Sequence, residues 1–210
     1  MGSQHANREW PWLGGIDPRS LSLGERCAAF LGYNFQLDPR EIHGPRHNEL
    51  ILGYSHDCRR LGSFEGVDEE REPIWTGGFS TELRTDDSDS PWCAALQSGA
   101  LRWSLLHGEK PAHGLRVACR ELAEDARLAR TLRGLDWKPT IGSVVLLGRH
   151  VVKKGKLVLE DPLLGGSGHV RAVILSDGER YYGIGGNEHD RISAGWHFYH
   201  DPLLRAFIER

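Results

Sequence analysis

The strongest constraint in the sequence is a pair of strand-like runs on either side of Asp177-Gly178. The first run covers residues 170–175 and alternates in character, and the second covers residues 179–184. Asp-Gly between two such runs is typical of a two-residue hairpin turn, because both residue types tolerate the left-handed conformation. We therefore predict two antiparallel strands. The residue before the first and the residues after the second should lie at the same edge of the sheet.

Four helices are predicted in the first two thirds of the chain. The first begins at Leu23, where Ser22 and Glu25 form a capping box, and it is expected to stop at Gly32. The other three are expected over residues 49–61, capped by Asn48, over residues 94–106, and over residues 115–133, ended by Gly134. Cys119 falls on the apolar face of the last helix, which indicates a core residue.

Strands are predicted in the remainder of the chain. Residues 142–147 indicate a buried strand, residues 153–156 a hairpin turn, and residues 191–208 one or two short closing strands. Residues 63–85 are rich in glycine and acidic side chains without periodicity, which predicts a long loop. Helices followed by an antiparallel sheet predict an α+β fold, with residues 1–22 as an N-terminal arm and residues 23–210 as a single domain.

Composition narrows the classes of function. The chain has 210 residues and a formal net charge of -3, so it has no basic footprint for nucleic acid. It has no apolar run of about 18 residues, so membrane insertion is not expected. Residues 1–12 are polar and lack the apolar core of a signal peptide. We therefore expect a protein made in the cytoplasm without such a signal.

The cysteines and histidines predict neither a disulfide framework nor a metal site. The four cysteines, Cys27, Cys58, Cys93 and Cys119, form no CxxC pair. The closely spaced pairs that include histidine lack a second pair with zinc spacing. These pairs are His43 with His47, His56 with Cys58, and His197 with His200. We expect reduced thiols, no metal and no cofactor.

Cys93 has the sequence context of a nucleophile. Pro91 favours the start of a helix there, so the thiol lies in or near the first turn, where the helix dipole favours the thiolate. The alternative is a small buried hydrophobic residue, which is commoner for a lone cysteine. His169 precedes one strand of the predicted hairpin and Asn187 follows the other. If the helix packs across that edge, the three residues form a Cys-His-Asn hydrolase site, with Cys93 as nucleophile, His169 as base and Asn187 as the orienting residue.

The same residues lie in motifs that resemble a known family. The order of residues 91–95 (PWCAA), 142–145 (GSVV), 168–170 (GHV) and 185–187 (GGN) is similar to that of the CHAP and NlpC/P60 papain-like peptidoglycan hydrolases. Residues 41–48 also resemble an upstream segment of one subgroup. The resemblance implies a papain-like fold, with N-terminal helices packed on an antiparallel sheet. It also implies the same three catalytic residues, and we expect Trp92 and Gly168 to contact the substrate.

Several features depart from the family pattern. Arg171 replaces a small residue after the histidine motif, and residues 96–99 (LQSG) replace bulky apolar ones. Two unusual insertions, residues 63–85 and 153–166, are expected to border the site. Glu188 is an alternative to Asn187 as the third residue, because the family uses several polar residues there.

The resemblance implies cleavage of amide bonds in cell-wall peptides, so peptidoglycan stem peptides are the expected partner. The chain resembles an antibacterial effector delivered to the periplasm of a target cell, such as a type VI secretion cargo. A periplasmic immunity protein would then be a second partner. Two alternatives remain open: a cytoplasmic thiol hydrolase acting on protein or lipid, and a catalytically inactive binding module of the same fold.

Overall fold

The structure is a computed structural model that describes residues 10–39, 54, 63–67, 73–76, 92–111, 113–116, 118–189 and 191–210. Helices in these ranges are α1 (Leu23–Gln36), α2 (Cys93–Ser104) and α3 (Cys119–Leu128). The strands are β1 (Ser63–Val67), β2 (Pro73–Thr76), β3 (Leu132–Arg133), β4 (Val144–Lys153), β5 (Lys156–Glu160), β6 (Gly168–Ser176), β7 (Arg180–Gly185), β8 (Ser193–Phe198) and β9 (Leu204–Ile208). Short 3₁₀ turns cover Pro11–Leu13, Pro18–Ser20 and Pro162–Leu164.

The main sheet is antiparallel, with the strand order β3-β9-β4-β6-β7-β8. Strand β5 pairs with residues 149–153 of β4, beyond the residues that pair with β6. The separate β1–β2 hairpin is also antiparallel. The β6–β7 hairpin turns at Asp177-Gly178, as the sequence predicts, and Gly178 has a φ of 92°. The α+β class and the antiparallel sheet are therefore confirmed.

Helix α1 begins where the capping box predicts but ends later than expected. Ser22 accepts from the backbone N–H of Glu25, and the Glu25 carboxylate accepts from the backbone N–H of Ser22. The helix continues through Gly32 to Gln36. A glycine inside a helix costs only about 1 kcal/mol. In the turn after Gly32, Asn34 is buried and its amide oxygen accepts a 2.6 Å hydrogen bond from the Tyr54 hydroxyl, which holds that turn in place.

Two predicted elements are wrong, and one lies outside the described residues. The helix predicted over residues 115–133 is shortened to α3, because Arg130 turns left-handed (φ 59°) and Leu132–Arg133 pairs with β9 instead. The loop predicted over residues 63–85 contains the β1–β2 hairpin. Of the helix predicted over residues 49–61, only Tyr54 is described; it is helical and buried.

The helices cover one face of the sheet and a smaller cluster covers the other. Because side chains alternate along β4, Val144 and Leu146 face α3, whereas Val145 and Leu147 face the opposite cluster. Helices α1 and α2 pack together with Ala172 and Ile184 of the sheet. The opposite cluster includes Tyr181, Leu204, Phe207, Trp137 and Tyr199. This arrangement places the N-terminus of α2 beside the start of β6.

Candidate active site

Cys93 is the first residue of α2, as the sequence predicts. The first-turn N–H groups of a helix have no acceptor within the helix, so they present positive partial charge to a group at that end. Cys93 is buried, with 3% of its surface exposed. The backbone of Val170 in β6 also lowers the pKa of this thiol. Burial opposes ionisation of the thiol, whereas the helix N-terminus and the Val170 backbone favour the thiolate.

A second thiol lies against the first. Cys119 is the first residue of α3, and its sulfur lies 3.4 Å from the Cys93 sulfur. The N-termini of two helices therefore converge on one pair of sulfur atoms. The sequence interpretation of Cys119 as a buried core residue is right about its burial. It misses the contact with Cys93, because 26 residues separate the two cysteines and no spacing rule connects them.

His169, the second residue of β6, lies between Cys93 and a carboxylate. Its Nε2 is 2.8 Å from Oε1 of Glu188, and its imidazole lies close enough to Cys93 for each side chain to shift the pKa of the other. Since Nε2 is held by the carboxylate, Nδ1 is the nitrogen left for the thiol. His169 therefore lies between the Cys93 sulfur and the Glu188 carboxylate.

Glu188 is itself held from three sides. Its Oε1 accepts from Nε of Arg171 at 2.6 Å as well as from His169, and its Oε2 accepts from the hydroxyl of Ser193. Burial tends to raise the pKa of Glu188, but the hydrogen bonds from His169, Arg171 and Ser193 outweigh burial and lower that pKa. The carboxylate therefore stays ionised and cannot rotate away from the imidazole without losing its other donors.

The structure brings Cys93 and His169 together as predicted, but it places Glu188 rather than Asn187 on the imidazole. If β7 continued past Gly185, the register of the β6–β7 hairpin would place Asn187 opposite His169. The strand ends there, and Asn187 takes a left-handed conformation with φ 57°. This turn carries the next side chain, that of Glu188, back over the sheet. Glu188 is the alternative that the sequence left open.

The two glycines before Asn187 make room for this arrangement. A Cβ at Gly185 would lie 2.4 Å from Oε1 of Glu188 and 3.0 Å from Nε2 of His169. A Cβ at Gly186 would lie 2.6 Å from the ring of Trp92. The 2.4 Å and 2.6 Å distances are shorter than real Cβ contacts allow. Gly185 therefore admits the carboxylate and the imidazole, and Gly186 admits the indole beneath α2.

The two residues expected to contact substrate have packing roles in the structure. Trp92 has no exposed surface and packs beside Tyr54, with ring centroids 6.4 Å apart. This burial gives no support to a substrate contact by Trp92. Gly168 is partly exposed, and a Cβ there would lie 2.7 Å from Pro162. Its missing side chain lets the segment after β5 pack against β6, and its contact with substrate stays a prediction.

Arg171 and Ser193 are site residues that sequence reasoning did not assign. Arg171 stands out in the sequence only as a departure from a small residue, and Ser193 gives no signal there. Both are explained by Glu188, because a partly buried carboxylate needs donors to stay ionised. Arg171 and His169 are two apart on β6 and so share one face of the strand.

The charges of the site follow from these contacts. The hydrogen bond from Cys119 lowers the pKa of Cys93 well below that of an ordinary thiol; burial opposes this, and His169 adds to the lowering. Conversely, the pKa of Cys119 is raised, first by its hydrogen bond to Cys93 and then by burial. Burial tends to lower the pKa of His169, but its hydrogen bonds to Cys93 and Glu188 raise that pKa to about 9. At neutral pH the site is a thiolate–imidazolium pair.

We expect this pair to be visible by titration. Because the pKa of Cys93 is lowered and that of His169 is raised to about 9, both charges persist from the lowered pKa of Cys93 up to about pH 9. The imidazolium is lost above pH 9, and the thiolate is lost as the pH falls through the lowered pKa of Cys93. The difference in ultraviolet thiolate absorbance between the wild type and Cys93→Ala follows the titration of Cys93. NMR of the imidazole ring follows the titration of His169. A Cys93 absorbance that rises only at the pH of a free thiol would contradict the pair.

Two general features of the described part of the chain bear on function. None of its helices has the length and apolar character needed to cross a bilayer. Its histidine, cysteine and carboxylate side chains form no cluster of three or more arranged to hold a metal ion.

Comparison of the chain with protein-family models, with curated proteins and with solved structures finds no match. The site is therefore interpreted from its own geometry and from the motif resemblance. Geometry alone defines a chemical class: a thiolate beside an imidazolium that is oriented by a carboxylate is an arrangement suited to acyl transfer.

Proposed function

We propose that this protein is a thiol-dependent peptidoglycan hydrolase, an amidase or endopeptidase with the papain-like NlpC/P60 (CHAP) fold. The observation that carries the proposal is the placement of His169 between Cys93, at the N-terminus of a helix, and the Glu188 carboxylate, which lies 2.8 Å from its Nε2. In this proposal Cys93 is the nucleophile, His169 the general acid and base, and Glu188 the residue that orients the imidazole.

The first half of the reaction forms an acyl-enzyme. The Cys93 thiolate attacks the carbonyl carbon of a peptide bond, and the electron pair of the C=O bond moves to oxygen. The first-turn N–H groups of α2 stabilise the resulting oxyanion. The His169 imidazolium then gives its proton to the leaving nitrogen as the C–N bond breaks, which releases the amine and leaves a thioester on Cys93.

The second half returns the enzyme to its starting state. Neutral His169 takes a proton from water, and the oxygen of that water attacks the thioester carbonyl. Breaking of the C–S bond releases the carboxylic acid and restores the Cys93 thiolate beside the imidazolium. Glu188 holds Nε2 of His169 through both halves, so Nδ1 remains directed at the sulfur.

The substrate class rests on the motif resemblance rather than on the catalytic geometry. The motifs around Cys93, His169 and Gly185-Gly186 follow one another in the order found in cell-wall hydrolases. Each of these motifs contributes one part of the site. The first contributes the proposed nucleophile, the second the proposed base, and the third the space for the carboxylate that orients the base. A site with the same geometry could also serve a thiol hydrolase that acts on another amide or ester.

Digestion of purified peptidoglycan tests the proposal. The wild-type protein is expected to release soluble fragments whose masses identify the bond that is cut, within the stem peptide or at the sugar–peptide junction. Cys93→Ala protein, folded as judged by circular dichroism, serves as the blank. No fragments from several peptidoglycan types would contradict the assignment. Binding without cleavage would support the inactive binding module instead.

The location of the substrate makes a second test possible in living bacteria. Peptidoglycan lies outside the cytoplasmic membrane, so we propose that the enzyme acts in the periplasm of a target cell and that a periplasmic immunity protein blocks its cleft. A growth experiment has four arms: cytoplasmic or exported protein, each as wild type or as Cys93→Ala. Only the exported wild type should lyse the cells. Equal toxicity of the cytoplasmic wild type would favour an intracellular substrate.

Gly185→Ala should impair the reaction although it replaces none of the reacting groups. The added Cβ would lie 2.4 Å from Oε1 of Glu188, so the carboxylate must leave the imidazole. A hydrogen bond to a charged group contributes about 1.5–3 kcal/mol, so kcat/KM is expected to fall by about 10- to 100-fold. Gly32→Ala is the matched control, because a Cβ at that position of α1 meets nothing within 4 Å. Equal rates for both variants would show that Gly185 does not position Glu188.

A further inference from the structure

Cys119 is the one member of the site that the proposed hydrolysis does not use. Its sulfur lies 3.4 Å from that of the nucleophile, whereas Cys27, which is also buried, lies elsewhere and donates to the carbonyl of Ala100 at 3.6 Å. A thiol placed against a thiolate is a reactive arrangement, because thiolates are the thiol species that oxidants attack. Cys93 and Cys119 can therefore react with oxidants, which is a reaction separate from the proposed hydrolysis.

We infer that Cys93 and Cys119 form a reversible disulfide when the protein meets a peroxide. In this site Cys93 is the thiol that is oxidised first, and Cys119 is the resolving thiol that closes the bond. The inference concerns a modification of the nucleophile and does not depend on which substrate the enzyme cleaves.

The geometry supports a direct closure. A disulfide requires sulfur atoms about 2 Å apart, so the 3.4 Å pair must approach by little more than one ångström. Each cysteine is the first residue of its helix, where the chain preceding it is not held by helical hydrogen bonds. Both sulfur atoms are buried against each other, so an oxidised Cys93 meets Cys119 before it meets a thiol from solution.

The chemistry balances in two steps. In the first, the Cys93 thiolate attacks one oxygen of the peroxide, the O–O bond breaks, and the departing hydroxide takes the proton of His169 to become water. Cys93 is now a sulfenic acid. In the second, the Cys119 sulfur attacks the Cys93 sulfur as the S–O bond breaks, and the hydroxyl leaves with the Cys119 proton as a second water. Two electrons pass from the thiols to the peroxide, and a dithiol reductant reverses the change by thiol–disulfide exchange.

The consequence is a nucleophile that is masked rather than destroyed. Without a resolving thiol, a sulfenic acid exposed to more peroxide advances to sulfinic acid, which ordinary reductants do not reverse. When Cys119 is present, it converts the Cys93 sulfenic acid to the disulfide before the sulfur is oxidised further. The protein would lose its nucleophile during exposure and recover it on reduction.

Peptide mapping tests the inference on the whole protein. Trypsin cuts after Arg84, Arg102, Arg116 and Arg120, so Cys93 and Cys119 fall in separate peptides, 85–102 and 117–120, and Cys27 and Cys58 fall in two others. Wild-type protein treated with hydrogen peroxide is expected to lose the mass of two hydrogen atoms and to yield peptides 85–102 and 117–120 as one linked species. Dithiothreitol should then restore alkylation of Cys93 completely.

The matched variants are Cys119→Ser and Cys27→Ser. Cys119→Ser should gain two oxygen atoms on peptide 85–102 and should not recover with dithiothreitol, whereas Cys27→Ser should behave as the wild type. Absence of the linked species from the wild type, with Cys93 instead oxidised to sulfinic acid, would overturn the inference even if Cys119→Ser failed to fold. Peptidoglycan digestion measured in parallel separates the two proposals, because the mass readout requires no hydrolysis.

Discussion

Cys93→Ala protein is expected to lose hydrolysis of peptidoglycan almost completely, by at least about 10³-fold in kcat, while keeping its fold. The thiolate supplies the electron pair that forms the acyl-enzyme, and no neighbouring group of the site can replace it. Cys119 loses its hydrogen bond to Cys93 in this variant, but burial still raises its pKa, and its sulfur lies 3.4 Å from the position of the attacking sulfur. The remaining imidazole and oxyanion-stabilising amides accelerate only the direct attack of water.

The control for this substitution is Cys27→Ala. Cys27 is fully buried in α1, so the substitution leaves a cavity of the same size, but the thiol belongs to the core and not to the site. It should lower the free energy of unfolding and leave kcat largely unchanged. If Cys93→Ala and Cys27→Ala show equal activity, Cys93 is not the nucleophile.

The second large loss of activity is expected for His169→Ala. Comparing this loss with those of variants at Asn187 and Glu188 identifies the residue that orients the imidazole. His169→Ala removes the group that moves the proton, which is typically worth about 10²–10⁴-fold in rate. Glu188→Gln removes the charge but keeps the shape of the residue that orients the imidazole. Because a hydrogen bond to a charged group contributes about 1.5–3 kcal/mol, we expect a loss of about 10- to 100-fold in kcat/KM.

Asn187→Gly is the variant that separates the two candidates for the orienting role. Asn187 has a φ of 57°, a conformation that glycine adopts without strain, so the variant removes the side chain and preserves the turn. Its activity should stay within a few-fold of the wild type. If Asn187→Gly loses as much activity as His169→Ala while Glu188→Gln is active, the orienting residue is Asn187, contrary to the structure.

The elements that sequence predicts well are those set by local chemistry. The capping box of Ser22 and Glu25, the start of α2 at Cys93 and the Asp177-Gly178 hairpin turn each depend on residues within one turn of one another. The end of a helix is harder to predict, because tertiary packing decides it. Leu132–Arg133 pairs with β9, so the last helix ends before residue 133, its predicted end.

The residues of the candidate site likewise divide into those that local sequence predicts and those that tertiary packing decides. Cys93 and His169 could be placed from a helix start and a strand start, both of which are local. The choice between Asn187 and Glu188 depends on where β7 stops and which residue turns left-handed. Strand alternation alone therefore favours Asn187, whereas the structure places Glu188 on the imidazole. Cys119 could not be found, because its contact with Cys93 arises only when α2 and α3 pack with their N-termini together.

The position of β9 inside the sheet bears on the order in which the site can be assembled during synthesis. This strand is the last of the described strands in chain order, yet it lies between β3 and β4. Just beyond it, Arg210 donates a 2.7 Å hydrogen bond to the carbonyl of Gln97 in α2. Until the ribosome has released these residues, one edge of β4 has no partner and the helix that carries Cys93 lacks this anchor. A nascent chain therefore holds Cys93, His169 and Glu188 before the sheet and the helix that position them are complete.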